Sequence, residues 1–439
     1  MQQAWRYRLW GTGRLSTVQG KTVRVLDPGK LNNGPGPDFY DARISVEGVV
    51  LAGCVEMHRY ASDWHSHGHD NDRRYDNVIL HVVADDDCRI HNDSGEEIMQ
   101  TVMRIDNKFV SVYNTLLTSR QYVLPMCGSH IDDIEHVFQT DWLTALTYER
   151  MLRKAEDVKK RLDETTGDWL TAAFVTLARG FGFGTNADNM ERLARTLPYK
   201  TMMRHADRIE AVEAMLFGQA SLLNHSHPAD EYEAMLAREY KFYAIKYGLT
   251  PIDSPIWGMN VRNTGNSPYR RIAVLARIVQ KYGVDLGSRL TSISTTADAH
   301  SFLDIDENPY WRQHYAFGRS VSNRQTALGK QSRDLLVINV LAPLLYARGL
   351  QTARIQLLDA AMCLWEETAP EQNAITRGFD SFGIKATSAS VSQALIQLHR
   401  EYCERRRCAS CRLGHRIMSQ YITFPTNPKP ILQQSVCEN

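Results

Sequence analysis

Apolar positions in roughly the first 110 residues recur every second residue or in short unbroken runs, the pattern of strands. KTVRVLDPG, at 21–29, predicts a strand closed by a Pro-Gly turn. Phe39, Asp41, Arg43 and Ser45 alternate with Tyr40, Ala42, Ile44 and Val46, and the apolar run VVLAGCVEMH follows Glu47-Gly48. Together they predict a hairpin, with Gly48 supplying the positive φ of the turn. The Val-rich return run suits a strand buried on both faces. NVILHVVADD, at 77–86, predicts a further strand, and DSGEEIMQTVMRI ends in another. Residues 2–10 predict a short amphipathic helix, and 62–76 a His-rich loop with at most a brief helix.

From about residue 135 the apolar spacing becomes helical. Helices are predicted over 141–164, the later part of it highly charged, and over 167–181, 207–223, 229–247, 269–282, 326–348, 351–366 and 388–402. No strand is expected in this part. The predicted fold is an α/β N-terminal domain over 1–125, a large all-α domain over 126–423 with a cysteine cluster at its end, and a loose tail over 424–439.

The composition adds bounds. The chain has 439 residues, enough for two or three domains, and a net charge of +1, so nucleic-acid contact would need local basic patches. The first residues lack an apolar leader pattern, and no unbroken apolar run approaches 18 residues. No membrane partner is expected. Eight irregularly spaced cysteines do not make a disulfide framework, and a cytoplasmic location with reduced thiols is expected.

The hairpin carries the first candidate chemistry. A turn at Glu47-Gly48 sets opposite one another positions whose numbers sum to about 94 or 95, and Asp38 and Glu56 satisfy this. Two carboxylates at the open end of a hairpin could share a divalent cation. Glu56 and His58, at i and i+2, share a face, with Val55 and Met57 on the other. Alternatively, Asp38 caps the turn after GPGP and Glu56 pairs with Arg43 or Arg59.

This segment resembles the PD-(D/E)xK nuclease-like superfamily. The resemblance rests on Pro37-Asp38, on Glu56-Met57-His58, and on the order helix, strand, Asp-bearing strand, Glu-x-basic strand, helix, strand. It covers about the first 90 residues. His58 stands where that superfamily usually has Lys, and Gln2 and Gln3 stand where many members place Glu. The resemblance implies a restriction-endonuclease-like core, Mg²⁺ or Mn²⁺ on Asp38 and Glu56, and His58 near the attacking water or on the metal. The His substitution favours Mn²⁺ or Zn²⁺. The strings GPDF, GCVEMH, SDWHSHGH and NVILHVV also resemble a family of uncharacterised bacterial proteins, a domain of unknown function, over the full length including the cysteine-rich end.

Two further clusters are candidate metal ligands. In HRYASDWHSHGHD, His67 and His69 form an imidazole pair on one face of an extended segment. They either join the Asp38/Glu56 site in a mixed carboxylate–imidazole centre, form a separate zinc hydrolase site, or sit in a solvated loop with Asp63 capping a short helix. His65 is expected to be exposed, and His81 to be a hydrogen-bonded core residue. Cys403, Cys408 and Cys411 have the spacing C-x4-C-x2-C, suited to zinc or an iron–sulfur cluster. His415 is the nearest fourth ligand, with Cys363, Cys437 and His399 more distant. Arg405, Arg406, Arg407 and Arg412 are expected to lower the thiol pKa values. The alternative is three inert thiols at a helix end.

Arg262, Arg270 and Arg271, with Arg277 and Lys281, and separately Arg405–Arg407, could track a phosphate backbone, with Tyr269 stacking on a base. A solvated helix face is the alternative. GFGFGTN, at 180–186, lacks the Gly-Lys-Ser/Thr ending of a P-loop and is expected to end one helix and let Asn186 cap the next. The leading expectation is a metal-dependent phosphodiesterase, a nuclease acting on DNA or RNA. The alternatives are a non-catalytic nucleic-acid-binding or scaffold protein with a degenerate nuclease fold, and a zinc hydrolase using the His-rich loop.

Overall fold

The alternating segments pair as expected and build one mixed sheet. The computed structural model describes residues 1–6, 8, 10, 15–32, 34–92, 95–105, 127–253, 255–259, 266–306, 308–321 and 328–420. After a short helix α1 (Gln2–Arg6) come β1 (Leu15–Ser16), β2 (Thr22–Asp27), β3 (Lys30–Leu31), β4 (Phe39–Val46), β5 (Val49–Tyr60), helix α2 (Asp63–Ser66), β6 (Val78–Asp85) and β7 (Gln100–Val102). The sheet order is β1-β2-β4-β5-β6-β7, with β3 on β4. β1, β2, β4 and β5 run antiparallel to their neighbours, whereas β5, β6 and β7 are parallel. Thr17 bridges Thr101, so the two ends of the sheet meet. Trp5, Val25, Phe39, Ile44, Val55, Met57, Leu80 and Val82 fill the core of this sheet.

The hairpin register is decided by one bulge. Near the turn, partners sum to 95: Val46 faces Val49, Ile44 faces Leu51 and Ala42 faces Gly53. At the open end Phe39 faces Val55, a sum of 94. The shift falls at Tyr40 and Asp41, and Asp41 has φ 57. Asp tolerates this left-handed conformation better than most residues. The extra residue reverses the side-chain alternation, so Phe39 and Ala42 both reach the core although three positions apart.

The chain forms two units. One comprises Met1–Trp142, Gly378–Ile384 and Leu398–Asn439, the other Leu143–Arg377 and Lys385–Gln397. This differs from the expected division at 125/126, because the cysteine-rich end belongs with the sheet and not with the helices. The expected tail over 424–439 lies outside the described residues. The second unit is helical around an apolar core that includes Phe174, Phe217, Val274, Leu341 and Trp365. The long predicted helix is α3 (His136–Glu164). The helix Ala187–Thr196 follows Asn186 as the Gly-rich run predicted, whereas Tyr199–Met203, Leu286–Thr291, Thr296–Phe302 and Ala374–Asp380 were not expected, being too short to show a periodicity. A two-stranded ribbon, β8 (His314–Ala316) with β9 (Arg319–Ser320), corrects the expectation of no strand. Gly182 follows the helix Trp169–Phe181 as expected, but Asn186 does not cap the next helix with its side chain, which bonds the backbone of Gly258 instead.

The apolar helix over 330–352 contains a π turn, Val337–Leu341, just before Pro343, whose ring and missing N–H disfavour regular α-helical bonding. It is long and apolar enough to cross a membrane by length and composition, and 67% of its apolar window is buried inside the protein.

Gly53 fixes how closely β5 and β6 approach. A Cβ there would lie 2.7 Å from the Asn77 carbonyl oxygen and 2.5 Å from Ile79 Cγ2. Gly53→Ala should therefore cost about 1–3 kcal/mol through overpacking, read as a lowered urea midpoint of the transition that includes the sheet. An unchanged midpoint would mean that the strands can part without cost.

Candidate metal centre

The bulge places Asp38 beside Glu56, at the lower of the two sums that the hairpin allowed, where the turn's own register would have set it opposite Met57. The Asp38 N–H donates to Glu56 Oε2 at 2.9 Å. Gln2 Nε2, from α1, donates to Asp38 Oδ1 at 2.6 Å. The position that departs from the nuclease pattern thus lies directly on the candidate ligand. Glu56 is buried and pairs with no arginine among the described residues: Arg43 instead meets Asp27 at 3.6 Å.

The other Glu56 oxygen faces imidazoles. Oε1 lies 3.5 Å from His58 Nε2 and 3.5 Å from His69 Nε2. His58 Nε2 is also 3.1 Å from His67 Nδ1. Among the described residues, His58, His67 and His69 are the set of three donors whose ligand atoms all lie within 4.8 Å of one another. Two nitrogens on one tetrahedral cation, at about 2.0–2.1 Å from it, stand about 3.3 Å apart, close to the observed spacing. His69 Nε2 is buried with no hydrogen-bond partner. Such an orphan is costly, and a cation at the centre of the set would use its lone pair.

The His-rich loop is held by aromatic packing. Trp64, on α2, is buried and meets the rings of His69, His81 and Tyr75 edge-on. The Tyr75 ring stacks on His69 with centroids 3.8 Å apart. Asp63 does not act as a helix cap; it accepts the Tyr60 N–H at 3.0 Å. His65 is half exposed and pairs with Asp70 at 2.8 Å, outside the cluster. His81, on β6, is fully buried, and its Nε2 lies 2.8 Å from His58 Nδ1. If His58 Nδ1–H donates to His81, Nε2 of His58 is left as a lone pair aimed into the cluster. His81 thereby sets the tautomer of His58, the usual task of a residue behind a metal ligand.

Electrostatics follow from burial. Glu56 is pushed up to about 8, first by desolvation and then by the charge of Asp38. Asp38 is raised by burial, partly offset by the Gln2 hydrogen bond. Burial lowers His58 to about 4 and His81 to about 3, with neighbouring imidazoles adding to it, and it lowers His69 as well. His58 and His69 are therefore neutral at pH 7 and free to act as ligands, while Glu56 holds a proton that a cation would displace.

The remaining candidates fare differently. Arg270 and Arg271 are buried, at 1% and 4% exposure, which corrects their assignment to an exposed phosphate-tracking face. Burial of the apolar side of this helix, Pro268–Tyr282, takes them with it. Arg277 bonds the Asp306 carbonyl and Lys281 that of Asp304. Tyr269 stacks with Phe217 and packs edge-on to Phe317, so it is not presented to a base. Arg262 and Cys437 lie outside the described residues. Arg405, Arg406 and Arg407 are exposed, and Arg405 pairs with Glu401. The thiol pKa values are raised and not lowered, by burial at all three and also by neighbouring thiolates at Cys403 and Cys408. Among the described residues, no three of the thiols come as close together as the imidazoles do. A further thiol, Cys127, stands beside Cys403, Cys408 and Cys411, and no spacing rule pointed to it. Cys363 is exposed and belongs to the helical unit. His399 is buried, 3.2 Å from Glu404.

The model of one family, described as protein of unknown function (DUF2851), matches residues 1–374. The chain belongs to this family. Neither the curated proteins nor the solved structures contain a significant match. The match includes every residue of the imidazole–carboxylate cluster and ends before Cys403, so it does not reach the cysteine-rich end.

Metal affinity should depend on pH through Glu56. A carboxyl raised to about 8 holds its proton below that pH, and the cation must displace it. Apparent affinity for Mn²⁺ or Zn²⁺ should therefore fall about tenfold per pH unit below about pH 8, measured by competition with a chelating dye. Glu56→Gln should weaken binding and flatten this dependence. A wild-type affinity constant from pH 6 to 8 would remove Glu56 from the ligand set.

Proposed function

We propose that the N-terminal unit is a metal-dependent phosphodiesterase acting on nucleic acid, built on a mixed carboxylate–imidazole centre. The observation that carries this reading is the convergence of Asp38, Glu56 and His58 at the open end of one hairpin, with His69 on the same Glu56 oxygen. The order α1, β2, β4, β5, α2, β6 supports a nuclease-like core, with Asp38 just before β4 and Glu56-x-His58 on β5. So does the position of Gln2 on Asp38.

Three imidazoles beside carboxylates suit Mn²⁺ or Zn²⁺ better than Mg²⁺, which prefers oxygen ligands and water. The cation would polarise a phosphoryl oxygen and lower the pKa of the attacking water. His67 is exposed, so one edge of the cluster faces solvent, where a substrate oxygen has access. The imidazole set also favours a second reading, a zinc hydrolase at this same centre acting on a substrate other than nucleic acid; zinc in the protein without cleavage of any DNA or RNA favours it.

The test is a cleavage assay on single-stranded, duplex and structured DNA and RNA with Mn²⁺, Zn²⁺ or Mg²⁺, using protein purified without a His-tag. Asp38→Ala and Glu56→Ala should each lower the metal-dependent rate about a thousandfold, since losing charge stabilisation in the transition state costs several kcal/mol. His58→Lys, tolerable in a Lys-type site, should abolish metal binding here because it puts a cation among the ligands. Wild type and Asp38→Ala equally inactive on every substrate, yet binding nucleic acid alike, would leave a non-catalytic scaffold.

A further inference from the structure

We infer that Cys127, Cys403, Cys408 and Cys411 form a second metal centre, held by four thiolates, that fastens the C-terminal segment onto the sheet-bearing unit. Four of the seven described cysteines gather here from two distant parts of the chain. Every pair among the four interacts electrostatically: Cys403 with Cys127, Cys411 and Cys408, Cys127 with Cys411 and Cys408, and Cys408 with Cys411. Packing places two of them, Cys408 and Cys127, independently. Cys408, Ala409 and Met418 are buried in the same core as Phe39 and Val55, and Cys127 packs against that core.

The loop between the thiols is shaped for this. Cys408–Ser410 forms a single 3-10 turn, and the Cys411 N–H returns to the Arg407 carbonyl at 3.1 Å. Gly414 closes against it; a Cβ there would lie 2.3 Å from the Cys408 carbonyl oxygen. The backbone N–H groups of Leu413 and Gly414 point at the Cys411 sulfur. Amide donors on a buried sulfur stabilise a thiolate, which an inert thiol does not require. Four thiolates gathered here repel one another, and a bound metal relieves that repulsion while four protons leave to solvent.

Four thiolates bind either zinc or an iron–sulfur cluster. A single zinc, with metal–sulfur bonds of about 2.3 Å, draws the sulfurs to about 3.8 Å from one another. A cluster holds them further apart.

Full-length protein purified without a tag would be analysed for zinc, iron and acid-labile sulfide, beside Cys127→Ser and, as a control, Cys363→Ser. Wild type should carry a thiolate-bound metal that Cys127→Ser loses and Cys363→Ser keeps. A colourless protein with zinc identifies one occupant; a brown protein with iron and labile sulfide identifies the other. A second measurement needs no variant: metal-edge absorption of the wild type with its imidazole centre loaded with manganese should show a shell of four sulfurs. Three sulfurs with one nitrogen would overturn the role of Cys127. So would a full metal complement in Cys127→Ser, and a wild type with no sulfur-bound metal would overturn the centre altogether.

Discussion

The left-handed bulge at Asp41 is the constraint on which the candidate centre depends. Without it β4 and β5 would keep the register set by the Glu47-Gly48 turn, and Asp38 would face Met57 on the core side. One extra residue moves Asp38 to the Glu56 side while returning Phe39 to the core. Both demands, a filled core and paired carboxylates, are met by the same distortion. Bulges re-aim side chains in this way next to functional sites.

Electrostatics give the cluster its chemical character. Glu56 is buried, and its partners are imidazoles held neutral by that same burial and one backbone N–H. A buried carboxylate facing neutral groups is poorly compensated, which is why its proton is held so tightly. A divalent cation would reverse that balance, since it is the largest local charge such a site can take. The parallel pairing of β5 with β6 matters here as well, because it aligns His81 with Glu56 and brings it behind His58. The ring of His69 gains its orientation from Tyr75 and Trp64, so the loop that carries it is anchored by apolar packing and not by hydrogen bonds alone.

The cysteine-rich end belongs to this unit too. Residues 398–420 return to the sheet through Cys408, Ala409 and Met418, and beyond the thiols Arg416 pairs with Glu135 at 2.7 Å. The first unit is therefore assembled from segments separated by most of the helical unit's sequence.

Much of this was legible in the chain. Period-two alternation and a Glu-Gly turn brought Asp38 to within one residue of facing Glu56, because strand pairing follows local spacing once the turn is known; the bulge at Asp41 supplied the last step. The i, i+2 rule put His58 beside Glu56, and the long helices followed from apolar periodicity. Local spacing could not decide whether His67 and His69 joined that site, because the answer depends on how a loop folds over the sheet and which aromatic rings support it. The burial of Arg270 and Arg271 was likewise hidden, since a basic helix reads the same whether its charged positions meet solvent or a core. Cys127 could not be joined to Cys403, Cys408 and Cys411 by any spacing, because contacts between distant segments are set by packing of the whole unit. The sequence by itself determined the strands and the turn, both governed by neighbours a few residues away. Only the tertiary structure decided which distant side chains share a buried space, because burial is a property of the assembled core and not of any one segment.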